Sequence, residues 1–146
     1  LITFDTKALD KGLQNIAIAV IKAIRDNTKK GVDMNGSKFK PYSAAYREWK
    51  VDWMRNGKKA NNAKSRVSSN PTVNLMLRGV MLNSISKSRI KDGFDVYIAD
   101  KNRALIGFAH HTGTGQPKRE FFGVSPAKEK ELYLQYLGKL PLLRKS

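Results

Sequence analysis

The chain has 146 residues, 40% hydrophobic and 27% charged, a balance that describes one globular domain rather than a disordered segment. It contains no cysteine, which excludes disulfides and thiolate metal sites, and no apolar run approaches the roughly 18 residues needed to cross a bilayer. The formal net charge of +16 speaks to partners and solubility rather than to fold; a nucleic acid, an acidic protein surface or an anionic membrane would each answer it.

Ile2-Thr3-Phe4 is a short β-prone segment, with Asp5 or Thr6 placed to cap a helix. Leu9, Leu13, Ile16, Ala17, Val20, Ile21 and Ile24 recur at spacings of three and four, the stripe of a long amphipathic helix. Lys7, Asp10, Lys11, Asn15, Lys22 and Arg25 fall on its other side, and Lys29-Lys30-Gly31 supplies the stop. Gly36 and Pro41 predict a turn and an extended approach to a second helix capped by Ser43. Tyr42, Tyr46, Trp49 and Trp53 share a face of that helix, which points to core or subunit interface ahead of base stacking.

The middle of the chain is basic: from Lys38 to Lys91 the many Lys and Arg residues are accompanied only by Glu48 and Asp52. Residues 55–74 hold hardly an apolar side chain, and Lys58, Lys59, Lys64 and Arg66 lie among them. Such a stretch has too little to bury to offset its own ordering entropy, so a mobile basic loop that orders on a partner is expected. The alternative is a solvated lysine-rich surface that serves solubility alone.

Asn74 predicts the cap of a helix over 75–85, apolar around much of its circumference. Asp92-Gly93 marks a hairpin between Ser86–Ile90 and Phe94–Ile98. A three-residue loop with Gly93 left-handed pairs Ile90 with Phe94 and Ser88 with Val96. That register keeps Phe94, Val96 and Ile98 inward and sends Lys87, Arg89, Asp95 and Tyr97 outward. A short helix over 102–111 ends at Gly113-Thr-Gly115. The stretch Pro117 to Gly123 reads as a strand with Phe121 and Phe122 on opposite faces and Arg119 at its edge. Ser125 and Pro126 open a closing helix that carries Leu132, Tyr133, Tyr136, Leu137 and Leu140. Leu142 to Lys145 either hang free or dock on a neighbour. The expected class is α+β in one domain over 1–146: a small antiparallel sheet, from a hairpin at about 86–99 and a strand near 119–123, packed by a long N-terminal helix and further helices.

No pattern in the chain calls for catalysis. His110 and His111 are adjacent, so they do not share a helix face as a metal-binding pair would, and they read as a surface feature before a glycine turn. Ser84, Ser86 and Ser88 lack the glycines of a nucleophile elbow, and Gly113-Thr-Gly115 is too short for a phosphate loop. Asp95 and Asp100 fit an outward strand position and a loop. Neither a cofactor nor a metal site is expected.

Three segments carry a resemblance. Pro-x-Arg-x-Phe-φ-Gly-φ-Ser at 117–125 leads into the last helix, and Gly-x-x-Phe-x-Pro-φ-Ser stands at 36–43. Leu-x-Leu-x-Gly-x-Met-Leu-x-Ser-Ile stands at 75–85. In this order they resemble the virion-morphogenesis, or tail-completion, family of tailed bacteriophages, with Pro117, Arg119, Phe121, Phe122, Gly123 and Ser125 as the motif positions. Where that family has a His-Gln-x-Gly type turn, this chain has His111-Thr-Gly113-Thr-Gly115 and lacks the glutamine. The resemblance implies a non-enzymatic structural protein of the virion neck, assembled in the host cytoplasm. It implies a cyclic homo-oligomer, a hexamer or a dodecamer, at the head-proximal end of the tail, where it completes the tail and joins it to the head. Its neighbours would be connector and tail-terminator or tail-tube proteins, with no membrane. The basic loop would then face an acidic neighbouring ring or the phosphates of packaged DNA, without sequence preference. The alternative function is a basic nucleic-acid-binding module without catalytic activity. Against it, no tight helix-turn-helix is visible and Tyr97 is the one aromatic on an outward strand position.

Overall fold

A computed structural model describes residues 3–50, 73–75, 79–139 and 142–143, with the backbone alone at 3–4 and 142–143. The basic stretch with Lys58, Lys59, Lys64 and Arg66 lies outside the described residues, as does Trp53. In chain order the elements are β1 (Thr3–Phe4), α1 (Thr6–Lys30), α2 (44–50), α3 (Val80–Asn83), β2 (Ile85–Ile90), β3 (Gly93–Ile98), α4 (Lys101–Thr112), α5 (Pro126–Leu137) and β4 (Leu142–Leu143). β2 and β3 form an antiparallel hairpin, and β4 pairs antiparallel with β1. The fold is therefore a small α+β domain, as the sequence pattern predicts.

The helix ends follow local chemistry. The Asp5 carboxylate accepts from the amides of Lys7 and Ala8 to open α1, and Gly31, left-handed at φ 77°, closes it after Lys29 and Lys30. Ser43 caps α2 by accepting from the Tyr46 amide, and Ser125 caps α5 by accepting from Lys128, with Pro126 at the first helical position. α1 lies against β2, β3 and α5, while α4 packs on β3 and α3. The core gathers Ile24 of α1, Phe39, Met81, Leu82, Ile85 and Phe121. Ile24, Leu82 and Phe121 are each 1% exposed.

An arginine fixes how α1 meets the hairpin. Arg25 leaves the polar side of α1 and donates to the carbonyls of Leu82, Asn83 and Ile85, at 2.9, 3.3 and 3.0 Å. A cation placed on carbonyls at the end of α3 satisfies acceptors that the short helix leaves open. It also sets the point where the chain enters β2.

Several expectations are corrected. The hairpin pairs Ile90 with Gly93, Arg89 with Phe94 and Lys87 with Val96, so its loop is Lys91-Asp92 and not a three-residue bulge. Phe94, Val96 and Ile98 keep their half-buried face and Asp95 and Tyr97 point outward, but Lys87 and Arg89 share the packed face. Long cationic stems tolerate that position because their heads escape: Lys87 Nζ sits 5.3 Å from the centre of the Phe94 ring, and Arg89 pairs with Asp10 on α1. Of the helix expected over 75–85, the described residues form helix at Val80–Asn83, and 76–78 lie outside the described residues. Leu75 has φ 51° and Gly79 φ 73°, so the backbone is left-handed just where helix was expected to run. Asn74 is instead a buried acceptor for Lys50 Nζ at 3.2 Å. No strand forms at 119–123, where the Phe121 amide folds back onto the Arg119 carbonyl at 2.8 Å. Phe121 and Phe122 consequently do not splay to opposite faces; their rings meet edge to face at 5.9 Å, Phe121 buried and Phe122 half-buried on the same core.

The two phenylalanines should therefore differ. Phe121→Ala is expected to lower the unfolding free energy by about 3–5 kcal/mol, the usual cost of emptying a buried aromatic site. Phe122→Ala should cost clearly less, and urea titration of the two variants against the parent measures the difference.

Candidate functional site

Gly113 ends α4 at φ 80°, and the chain returns along the last turn of that helix, with Lys118 so close that a Cβ on Gly113 would lie 2.9 Å from its Cβ. The return is pinned where the Arg119 amide donates to the His110 carbonyl at 2.7 Å. The Arg119 side chain then turns inward and is 3% exposed. Its Nε donates to the Lys40 carbonyl at 3.0 Å, its Nη2 to the Pro41 carbonyl at 3.1 Å and its Nη1 to the Pro117 carbonyl at 3.4 Å. Nη1 also faces His110 Nδ1 at 3.3 Å. The guanidinium carbon stands 5.2 Å from the Tyr42 ring centre, and Lys50 Nζ stands 5.1 Å from the same ring. Tyr42 is thus flanked by two cations, while its hydroxyl accepts from the Leu75 amide at 3.1 Å.

Burial governs the titration of this cluster. It lowers the pKa of Arg119 and of Lys50 and raises those of Tyr42 and Tyr46, in each case by penalising the charged form. His110 is pushed down to about 4, first by burial and then by the adjacent Arg119 charge. It is neutral at pH 7, with Nδ1 free to accept from the guanidinium and Nε2 carrying the proton.

This cluster forms one wall of a cleft of about 960 Å³. The start of α2, residues 79–81, the face of α4 with Arg103, Ile106 and His110, residues 115–117 and Arg119 line it. Its described lining includes Lys40, Arg103 and Arg119 but no carboxylate, mixed with apolar surface from Pro41, Leu75, Val80, Met81 and Ile106. Such a cleft favours an anionic group carried on apolar surface. No group of three or more His, Asp or Glu side chains close enough to hold a metal occurs among the described residues.

The motif residues have distinct places. Arg119 is the buried staple rather than an edge cation, Pro117 lends it a carbonyl, and Phe121 fills the core beneath α4. Gly123 has φ 146°, and a side chain there would press on Met34 Sδ at 3.3 Å. Ser125 caps α5. His110 and His111 are half-buried residues of the last turn of α4 rather than a surface feature. His111 accepts from the Phe122 amide at 3.4 Å and meets the Phe121 ring edge-on. The sequence reading missed the inward roles of Arg25, Lys50 and Arg119. The one hint was an arginine two residues before a Phe-Phe pair, with no nearby acid in sequence except Glu120.

Comparison of the chain with models of protein families, with curated proteins and with solved structures finds no match in any of the three.

This geometry has two measurable outcomes. Arg119→Lys and Arg119→Met should each lose about 2–3 kcal/mol of stability, since charged hydrogen bonds are broken and buried carbonyls left open. Lysine should recover little, because one ammonium does not serve the carbonyls of residues 40, 41 and 117 together. The second outcome concerns pH. The His110 pKa is depressed on folding, so between about 4 and 6.5 the unfolded chain binds the extra proton. Its contribution is complete above pH 6.5 and is lost as pH falls toward 4. His110→Gln, which keeps an acceptor without titrating, should show a smaller drop in urea midpoint between pH 7 and pH 5 than the parent.

Proposed function

We propose that this chain is a structural component of a tailed-phage virion, forming a cyclic oligomer in the neck and taking part in tail completion and head–tail joining. The observation that carries the reading is spatial. The three segments that resemble the tail-completion family are far apart in sequence, yet they converge on one core. Phe39 comes from the first, Met81, Leu82 and Ile85 from the second, and Phe121 from the third. Polar contacts join them as well: Arg119 holds the carbonyls of Lys40 and Pro41, and Tyr42 accepts from Leu75. Motif positions that share one packing unit are the positions a common fold would constrain together.

The surface supports assembly. Leu105, Phe108 and Ile106 on α4 are 71, 62 and 42% exposed, and Tyr133 and Leu134 on α5 are 43 and 63% exposed. Two separate apolar faces on one subunit suit head-to-tail contacts, which close into a ring when the rotation allows. The charged partners of such a ring, an acidic neighbouring ring or DNA phosphates, agree with the net charge of +16.

Deleting the gene from the phage genome that encodes it is the direct test. Full heads with tails that fail to join, or tails of abnormal form, are expected. Normal infectious particles lacking the protein would contradict the proposal.

A further inference from the structure

We propose that the aromatic ladder of α2 and the cationic cleft beside it form a binding site for single-stranded nucleic acid, with bases stacked on Tyr46 and Trp49 and phosphates held by Lys40 and Arg103. The site goes beyond the virion reading and does not depend on it.

Spacing along the sequence points these aromatics to a core or a subunit interface, and the structure divides them. Tyr42 turns inward, its hydroxyl accepting from the Leu75 amide. Tyr46 and Trp49 stay at the surface, 39 and 49% exposed. The three rings climb the helix as a ladder. Tyr42 and Tyr46 are 4.8 Å apart between centres, and Tyr46 and Trp49 are 5.6 Å apart with their planes at 33°. Each ring braces the next, so the outer two offer flat apolar faces that are already held in place. Every base has a face that stacks on such a surface, whatever its sequence.

Charge separates the partners that could use these rings. Tyr46 lines the cleft, and the described lining holds three cations and no carboxylate. Arg119 is occupied with carbonyls, but the side-chain head groups of Lys40 and Arg103 make no hydrogen bond or ion pair among the described residues. Glu48, the one acid among the described residues of α2, sits about 200° around the helix from Tyr46. A second copy of the chain would bring its own net charge of +16 to this surface, whereas a nucleic acid brings phosphates. A single strand fits better than a duplex, because stacking on protein rings needs bases that are already unpaired.

Titration of the full chain with dye-labelled strands tests the site. An oligothymidylate of about 15 nucleotides is compared with an abasic strand of the same length, which keeps the phosphates and lacks the bases. At low salt the strand with bases should bind at least about tenfold more tightly. Tyr46→Ala should remove most of that preference. Arg103→Ser should weaken both strands and lower the log–log salt slope by about 0.7, the share of one phosphate contact. In Trp53→Phe, Trp49 is the remaining tryptophan of the chain, and the oligothymidylate, but not the abasic strand, should quench its fluorescence. Circular dichroism confirms that each variant is folded; should Tyr46→Ala not fold, the preference of the parent and the quenching of Trp49 still decide. An abasic strand bound as tightly as the oligothymidylate, or no quenching, overturns the site. So does a chain that binds neither strand. Polyglutamate bound as tightly as the oligothymidylate, and equally weakened by Arg103→Ser, overturns it as well and assigns the cleft to an acidic protein. The virion reading is tested separately by gene deletion and stands or falls on that result.

Discussion

The structure depends on a buried guanidinium held by carbonyl oxygens. Taking a cation out of water costs several kcal/mol unless its donors are met, and no carboxylate pairs with Arg119 among the described residues. The oxygens of Lys40, Pro41 and Pro117 and the face of Tyr42 supply what water would have supplied. Because those groups belong to two distant stretches, the arginine holds residues 40–42 against residues 117–119 in one register. The consequences reach outward. Phe121, two residues on, is delivered to the core beneath α4, the guanidinium charge adds to burial in keeping His110 neutral as an acceptor, and one wall of the cleft is fixed in place.

What was legible in the sequence is what residues within a few positions decide. Asp5, Ser43 and Ser125 cap their helices, and Gly31 and Gly113 end theirs, through hydrogen bonds to neighbours within four or five residues. The apolar stripe of α1 was equally readable, since Ile16, Ala17 and Ile24 are its buried positions. The failures share a different cause. Arg119 bonds to oxygens 78 and 79 residues away, and Arg25 to oxygens 57 to 60 away, so no local pattern marks either. The hairpin register is misread when a charge is assumed to exclude a packed face, whereas Lys87 and Arg89 lay their stems along it. The helix over 75–85 is overextended when its leucine periodicity is allowed to outweigh a glycine that takes φ 73°.

The candidate site was only partly legible for the same reason. Residues 117–125 stood out by their order, but the cleft beside them is assembled from four separated stretches, and Lys40, Arg103 and His110 meet there only after folding. The same convergence gives the functional proposal its substance. Resemblance in three short segments is weak when each is taken alone; sharing a core and a hydrogen-bond network makes them one unit. Leu105, Ile106 and Phe108 of α4 and Tyr133 and Leu134 of α5 stay exposed once that unit is complete, and in the proposed ring such surface, with the net charge of +16, serves contacts between subunits and with neighbours.

The central claim is that the protein is built into the neck of a phage particle as a ring. Electron cryo-microscopy of purified particles carrying a small folded tag on this chain tests it most directly. The account predicts symmetric tag density in a closed ring where the tail meets the head. Complete particles with no tag density at that junction, or with tag density elsewhere in the virion, would contradict it.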